Sequence, residues 1–481
     1  MLQADICQRA VHARDIRFDG VFFVGITTTR VYCRPVCPAR VSYPERRRFF
    51  ETAASAERAG YRPCLRCRPE LAPGRALMDA VPRLARLAAQ RIAAGALNGR
   101  SVTDLAGELG VSERHLRRAL ERQLGVSPAE LAQTHRLLLA KRLLAETSLP
   151  VTRIAFASGF QSLRRFNSVF RERYRLSPSA LRRSAPTSAA GRPAGDFVTL
   201  TLAYRPPLDW QLLTSLLRRD AMPGVTVVED GRYGRTVNLG GRRGVVVAEQ
   251  AKGKTHLDVA VSLSLLPVLM PLLARLRQLF DLDAEPAVVD AHLAQNGLAS
   301  LVQERPGIRI PGVLDGFEVA LRSLLSGPNG AMSQELLGRV VAALGEQIDT
   351  GIPSLTRLAP TPDRVAEAGV EALEALGVCR DDAEAIVAVA TALSAGGISL
   401  EPGRDVAATH RALVEANGVG ERLATMIVMR ALYWPDAFPA SDPALQRAAG
   451  ASDRRALRVL AERWRPWRAY AAQHLWLRDA G

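Results

Sequence analysis

The sequence predicts a multidomain α+β protein: a small zinc-binding α/β domain, an all-α double helix-turn-helix domain, a strand-rich α+β domain and an all-α domain. Three observations carry this. Five of the six cysteines fall in the first 75 residues, four of them as two close pairs. An arginine-rich helical pattern then occurs twice, offset by 49 and then 50 residues. After a Ser/Ala/Pro/Gly-rich stretch, alternating apolar residues read as strands, and from Leu265 the signal is mostly helical. The expected boundaries are 1–75, 76–183, a linker over 184–196, then 197–280 and 281–481. With 481 residues, 48% of them apolar, there is chain enough for about three or four packed domains.

Charge is unevenly placed. Residues 1–196 hold 34 Lys/Arg and 16 Asp/Glu, a net of +18; residues 197–481 hold 30 and 32, a net of −2. An arginine-rich composition by itself would spread the excess evenly, so the front half is expected to bind a nucleic-acid backbone. MLQADICQRAVHARD has no apolar signal-peptide core. The longest apolar run, Val261 to Ala274, is broken by Pro267 and Pro271 and is shorter than the ~18–20 residues of a membrane span. A cytoplasmic, nucleoid-associated protein without a membrane partner is expected.

Residues 1–75 read as short strands and turns. Cys33-x3-Cys37 and Cys64-x2-Cys67, separated by 26 residues, supply four thiolates for one tetrahedral Zn2+. Arg34, Pro35, Pro38, Pro63, Arg66, Arg68 and Pro69 suit tight knuckles in an electropositive setting. Cys7 and Cys379 lack partners at ligand spacing and read as ordinary residues. A zinc serving structure alone is compatible with the spacing. The stretch from FDGVFFVGITTTRVYCRPVCPAR through YRPCLRCRPE resembles the amino-terminal domain of the Ada proteins of the bacterial adaptive response. That resemblance implies that Cys33 irreversibly accepts a methyl group from a DNA methylphosphotriester, with Cys37, Cys64 and Cys67 completing the zinc site. Zinc keeps a thiolate deprotonated and nucleophilic at neutral pH, and methylation lowers the site's negative charge, which favours binding to a polyanion.

In the helical middle, Ser101 to Asp104 forms a capping box, Gly110 makes a turn and Ser112 caps the helix ERHLRRALERQ. Ser127-Pro128-Ala129-Glu130 opens a longer helix to about Glu146, and the plan repeats from Pro150 to Arg183. In such units the second helix enters the major groove. The candidate contacts are Arg114, Arg117 and Arg118 in the first copy, and Gln161, Ser162, Arg164, Arg165 and Asn167 in the second; singly, each also suits a solvated helix face. GFQSLRRFNSVFRERYRLSPSALRR is similar to the DNA-binding domain of AraC-type regulators. The Pro-Cys-His-Arg motif of the carboxy-terminal Ada methyltransferase is absent from the sequence.

Beyond the linker, FVTLTLAY, VTVVEDGRYGRTVNL and GVVVAE alternate as strands. Asn417-Gly418-Val419-Gly420 before a helix forms a turn whose N–H groups can hold a DNA phosphate. Asp442 follows Gly420 by 22 residues and by itself reads more readily as a helix cap than as a catalytic group. TLAYRPPLDW, FDLDAEPAVVDAHL, RPGIRIPGVLDGFEVALRSLL and AERWRPWRAYAAQHLWL resemble AlkA, the alkylbase DNA glycosylase of the helix-hairpin-helix superfamily, over nearly all 285 residues from 197 to 481. The resemblance implies an antiparallel-sheet domain followed by an all-α helix-hairpin-helix glycosylase domain. It gives Gly418, Val419 and Gly420 the phosphate contact, with a monovalent cation as a further candidate at the hairpin. Asp442 becomes the catalytic carboxylate that stabilises the sugar cation or aids water. Arg422 stands where lyase-competent relatives carry lysine; a guanidinium forms no Schiff base, so monofunctional excision of bases such as 3-methyladenine is implied. Arg422, Met426 and Trp476 would line the base pocket, Trp476 either stacking on a flipped base or serving the core; Trp464 and Trp467 read as structural.

The chain departs from that family at three places: the segment Ser326-Gly327-Pro328-Asn329-Gly330, which lacks the usual apolar wedge, Arg422, and Pro443. Two readings therefore stand. In one, an alkylation-damage sensor and transcription activator is fused to a working glycosylase, an Ada–AlkA fusion acting as a monomer on alkylated and operator DNA with RNA polymerase as partner. In the other, the glycosylase-shaped half of a methylation-activated regulator only binds DNA.

Overall fold

The first two short strands already explain why four distant cysteines meet. In the computed structural model, which describes residues 3–39, 42–73, 83–184, 196–326, 333–416 and 418–479, β1 (Phe23–Ile26) turns through Arg30 in the left-handed region (φ 51°) into β2 (Val31–Cys33). They pair antiparallel with Val24 opposite Cys33. β3 (Arg47–Phe50) joins the other edge of β1, and β4 (Arg62–Pro63) runs parallel to β2 with Tyr32 opposite Pro63. The order is β3-β1-β2-β4. Parallel pairing brings the ends of β2 and β4, and hence both cysteine pairs, to one end of the sheet. Two helices, Ala4–Ala13 and Ala53–Arg58, join the short strands and turns and make this the small α/β domain that was expected. The first seals Cys7, Ala10 and Val11 against Phe22 and Val24, so Cys7 is a core residue. The second is opened by a Thr52–Ser55 capping box, which satisfies backbone N–H groups at its start.

The two helix-turn-helix units follow their capping signals. Helix Val102–Glu108 starts at the Ser101–Asp104 box, Glu113–Leu124 at Ser112, and Pro128–Glu146 at the Ser127–Glu130 box. Gly110 and Gly159 both adopt positive φ (68° and 87°) at the turns of the two copies, conformations that cost other residues a steric penalty. The second copy contains Val151–Ala157, Leu163–Tyr174 and Pro178–Ser184. Helix Pro128–Glu146 is buried on nearly all sides, and the Tyr174 hydroxyl donates to the Leu137 carbonyl on it (3.1 Å).

The chain forms two compact units: Met1–Pro206 with Ala251–Ala274 and Leu282–Ala284, and Pro207–Gln250 with Arg275–Asp281 and Glu285–Gly481. Within the first, β5 (Phe197–Ala203) pairs antiparallel with β9 (His256–Ser262). Within the second, β6 (Thr226–Glu229), β7 (Arg232–Leu239) and β8 (Arg242–Gln250) form an antiparallel meander. Its hairpins turn at Asp230-Gly231 and Gly240-Gly241, all four with positive φ, which matches the twist of tight two-residue loops. The remainder of the second unit is helical around a core that includes Phe317, Leu321, Leu324, Leu337, Ile386, Ile427 and Val428. Among the described residues no helix is long and apolar enough to cross a membrane.

Candidate functional site

Three constellations carry chemistry. In the first, the ligand atoms of Cys33, Cys37, Cys64 and Cys67 all lie within 4.8 Å of one another, and none is in a disulfide. Thiolates bound to one tetrahedral zinc at Zn–S of about 2.3 Å stand about 3.8 Å apart, so the cluster fits the ion. Backbone bonds hold it: Cys64 N–H donates to the Tyr32 carbonyl (2.9 Å), and Cys37 N–H to the Arg34 carbonyl (3.1 Å). Arg34 N–H donates to Cys67 Sγ (3.4 Å). The Arg34 guanidinium is committed inward, to the buried Asp19 (Nε to Oδ1, 2.7 Å) and the Cys67 carbonyl (3.3 Å). The electropositive setting expected around the knuckles therefore falls to exposed Arg62 and Arg66. The helix Pro128–Glu146 also reaches this site. Lys141 Nζ donates to the Cys64 carbonyl (3.1 Å) and pairs with Glu70 (2.5 Å), with both side chains almost completely buried. Arg68 bridges Glu70 (3.2 Å) and Glu146 (3.1 Å).

The second constellation is the pair of candidate recognition helices. Arg114 and Arg118 are exposed on Glu113–Leu124, whereas Arg117 is half-buried and paired with Glu113 (2.7 Å). On Leu163–Tyr174, Arg164 and Arg165 are exposed and Asn167 is half-buried; Gln161 is exposed just ahead of them. The Ser162 hydroxyl caps the helix by accepting from Arg165 N–H (3.4 Å). Arg114, Arg118, Arg164 and Arg165 thus keep the most freedom to meet DNA.

The third lies in the second unit. Asp442 is the N-cap of helix Pro443–Ala449, its Oδ1 accepting from Ala444 N–H (3.0 Å) and Leu445 N–H (3.2 Å). Pro443 favours the extended backbone that a cap requires, and Asp442 adopts it (φ −78°, ψ 120°). The departure at Pro443 therefore supports the carboxylate's placement. Trp476 Nε1–H also points at Oδ1 (3.4 Å), and Arg422 Nη1 stands 3.6 Å from Oδ2. Trp476, Arg422 and Met426 wall one cavity of about 420 Å³, which brings all three expected pocket residues together beside Asp442. Of the cavity's other lining residues, Asp220, Arg322 and Arg430 give it a charged character that sequence reasoning missed. Arg430 pairs with Asp220 (2.5 Å), and Arg322 lies 3.8 Å from the same carboxylate. Burial alone would raise the Asp220 carboxyl, but Arg430 and Arg322 outweigh it and hold the group below its ordinary range. The available signal was one arginine inside each apolar helix, VALRSLL and IVMRALY.

The hairpin places Gly418 at φ 80° and Gly420 as N-cap of helix Glu421–Ala431. Val419 is buried, and its N–H donates to the Ala416 carbonyl (3.2 Å), which ties up that donor within the turn. Asn417 and residues 327–330 of the altered loop lie outside the described residues, as do 185–195 of the expected linker. Trp464 (Nε1–H to the Asn296 carbonyl, 3.1 Å) and Trp467 are buried structural residues, as read.

Over 98% of its length this chain is 38% identical to the "Probable bifunctional transcriptional activator/DNA repair enzyme AlkA" of Mycobacterium tuberculosis, covering 95% of that protein. The chain belongs to the AlkA bifunctional activator/repair family. Residues 6–70 match the metal binding domain of Ada, 105–184 a helix-turn-helix domain and 199–315 the AlkA N-terminal domain. The Escherichia coli protein "DNA-3-methyladenine glycosylase 2" is 34% identical over 277 residues, 57% of this chain and 96% of that one. A 3-methyladenine DNA-glycosylase from Archaeoglobus fulgidus overlays 58% of the chain and 98% of its own at TM-score 0.49 and 20% identity. The helix-turn-helix and AlkA-type domains make double-stranded DNA the partner of this chain, and the Ada-type domain with its four clustered cysteines makes Zn2+ its metal. The only lysines in this AlkA-family chain are Lys141, Lys252 and Lys254, and none lines the cavity beside Asp442.

Proposed function

We propose that the chain senses alkylation of DNA, activates transcription in response and excises damaged bases as a monofunctional glycosylase, with the division at 75/76, 183/184, 196/197 and 280/281 separating these tasks. In the sensor, Cys33 Sγ attacks the methyl carbon of a methylphosphotriester. The S–C bond forms as the C–O bond breaks, and the electron pair stays on the phosphate oxygen. Zinc keeps the thiolates ionised. The neutral thioether that results reduces repulsion of DNA, and Arg114, Arg118, Arg164 and Arg165 then engage the operator. Recruitment of RNA polymerase by a monomeric chain completes the activation step.

In the repair half, the base sits in the cavity against Trp476 while Gly418 and Gly420 hold the backbone. The C1′–N bond breaks with its electron pair leaving on the base, and a water oxygen adds to C1′ as one of that water's protons passes to Asp442 Oδ2. Asp442 Oδ2 stabilises the positive sugar and orients that water. The observation that carries this reading is the placement of Asp442, fixed by three N–H donors beside a cavity walled by Trp476. The absence of a cavity lysine supports hydrolysis without a Schiff base. Free 3-methyladenine released from methylated duplex DNA by the wild-type chain, and lost in Asp442→Asn, is the expected result. DNA binding without release by wild type would favour the second reading, a regulator with an inactive glycosylase fold. The observation behind that alternative is Arg422 beside Asp442.

A further inference from the structure

The base cavity is unusually cationic for a site that is meant to receive cations. Arg219, Arg322, Arg422 and Arg430 line it, and Asp220 is the one carboxylate among its lining residues. Adding Asp442 behind the wall leaves four positive groups against two negative ones. A purine alkylated at N3 or N7 within a nucleotide carries a formal positive charge, so it enters this cavity against repulsion. Trp476 is the single aromatic among the lining residues and offers only one face to offset that by cation–π attraction.

The arginines are not equivalent. Arg430 donates to the Pro311 carbonyl (3.0 Å) and pairs with Asp220, and Arg322 donates to the Asp220 carbonyl; both are fixed parts of the wall. Arg422 differs. Its side chain is 34% exposed, and its contact with Asp442 at 3.6 Å is an ion pair longer than a direct hydrogen bond. It can turn toward a bound base without breaking the wall.

Resting on the glycosylase reading above, we infer that this cavity prefers uncharged lesion purines that present acceptors, a carbonyl at position 6 with an unmodified N7, over cationic N-alkyl purines, and that Arg422 is the residue that sets this preference. A guanidinium matches the O6/N7 edge with two parallel N–H donors. Hypoxanthine, the deaminated form of adenine, has that edge and no charge. N7-methylguanine has lost the N7 acceptor and gained a charge.

The test is single-turnover release of hypoxanthine and of 7-methylguanine from otherwise identical duplexes by the full chain, in wild type, Arg422→Gln and Arg422→Met. Wild type is expected to release hypoxanthine faster, and both variants to shift the ratio toward 7-methylguanine by about tenfold, a change of about 1.4 kcal/mol in relative barrier. Because the ratio is internal to each protein, a partial loss of folded material cancels from it. Faster release of 7-methylguanine by wild type, or a ratio unchanged in both variants, overturns the inference while leaving the glycosylase intact. Release of neither base by any of the three proteins removes the glycosylase reading and this inference with it.

Discussion

Asp442→Asn and Asp442→Ala together separate a helix cap from a catalytic charge. Asp442 Oδ1 accepts two backbone N–H groups at the start of Pro443–Ala449. Asparagine caps about as well as aspartate, so Asn keeps those bonds, whereas Ala loses them at a cost of about 1 kcal/mol. Both variants lose the Arg422 pair. At 3.6 Å, with a third of the arginine side chain exposed, that pair is screened by water and contributes no more than about 1 kcal/mol. Urea unfolding should therefore place Asn within about 1 kcal/mol of wild type and Ala roughly 1 kcal/mol lower still. Base release should behave differently. Removing one preorganised group aimed at developing charge costs about 10²–10³ in rate, and it does so for Asn and Ala alike. Two results would refute the reasoning: release by Asp442→Asn within threefold of wild type, or an Asn variant as unstable as Ala.

Other perturbations test the remaining sites. Mass spectrometry after exposure to methylated DNA should find one added methyl on Cys33 and none in Cys33→Ser; a methyl on Cys37, Cys64 or Cys67 instead would reassign the acceptor. Metal analysis should give one zinc per chain, and Cys64→Ala should lose it. Lys141→Met leaves the buried Glu70 carboxylate with Arg68 as its remaining cation and should destabilise the first unit by about 2 kcal/mol, with Lys141→Met/Glu70→Met recovering most of it; equal losses in both would show that the pair itself matters little. His474 is held near 4, first by burial and then by Arg305. Its folded pKa lies below the unfolded value, so its contribution is full above about 6.5 and is lost as pH falls toward 4, roughly 3 kcal/mol in all. His474→Leu should flatten the stability of the second unit across that window, measured by denaturant unfolding at each pH.

Much of this could be read in the chain because the signals are local. Ser101, Ser112 and Ser127 announce their helices within four residues, whereas VTVVEDGRYGRTVNL, which alternates as one stretch, is two strands turned at Asp230-Gly231. The cysteine spacing gave the metal cluster, since two thiolate pairs have few other uses inside a cell. What escaped notice depends on long-range partners. Lys141 looks like a solvated charge in LLLAKRLLAE, and only Glu70, 71 residues away, shows it to be buried. Arg322 and Arg430 became cavity residues through Asp220, which lies about a hundred residues or more before each of them in the chain. Arg422 was read as facing the base alone; its relation to Asp442 depends on how two helices pack, which no spacing encodes. Pro443 reads as a departure from its effect on the preceding residue alone; the helix that it starts turns the same restriction into support for the cap.

The hydrogen bond from Lys141 to the Cys64 carbonyl has a consequence for supply and timing in the cell. Free energy of metal binding is also free energy of folding for the loops that hold the ion. Through Lys141 and Glu70 the central helix of the double helix-turn-helix region leans on those same loops. A newly made chain lacking zinc would leave two buried charges badly placed, and its regulatory region would be more open to proteases. Removal of zinc should therefore lower the stability of this central helix together with that of the metal-holding loops.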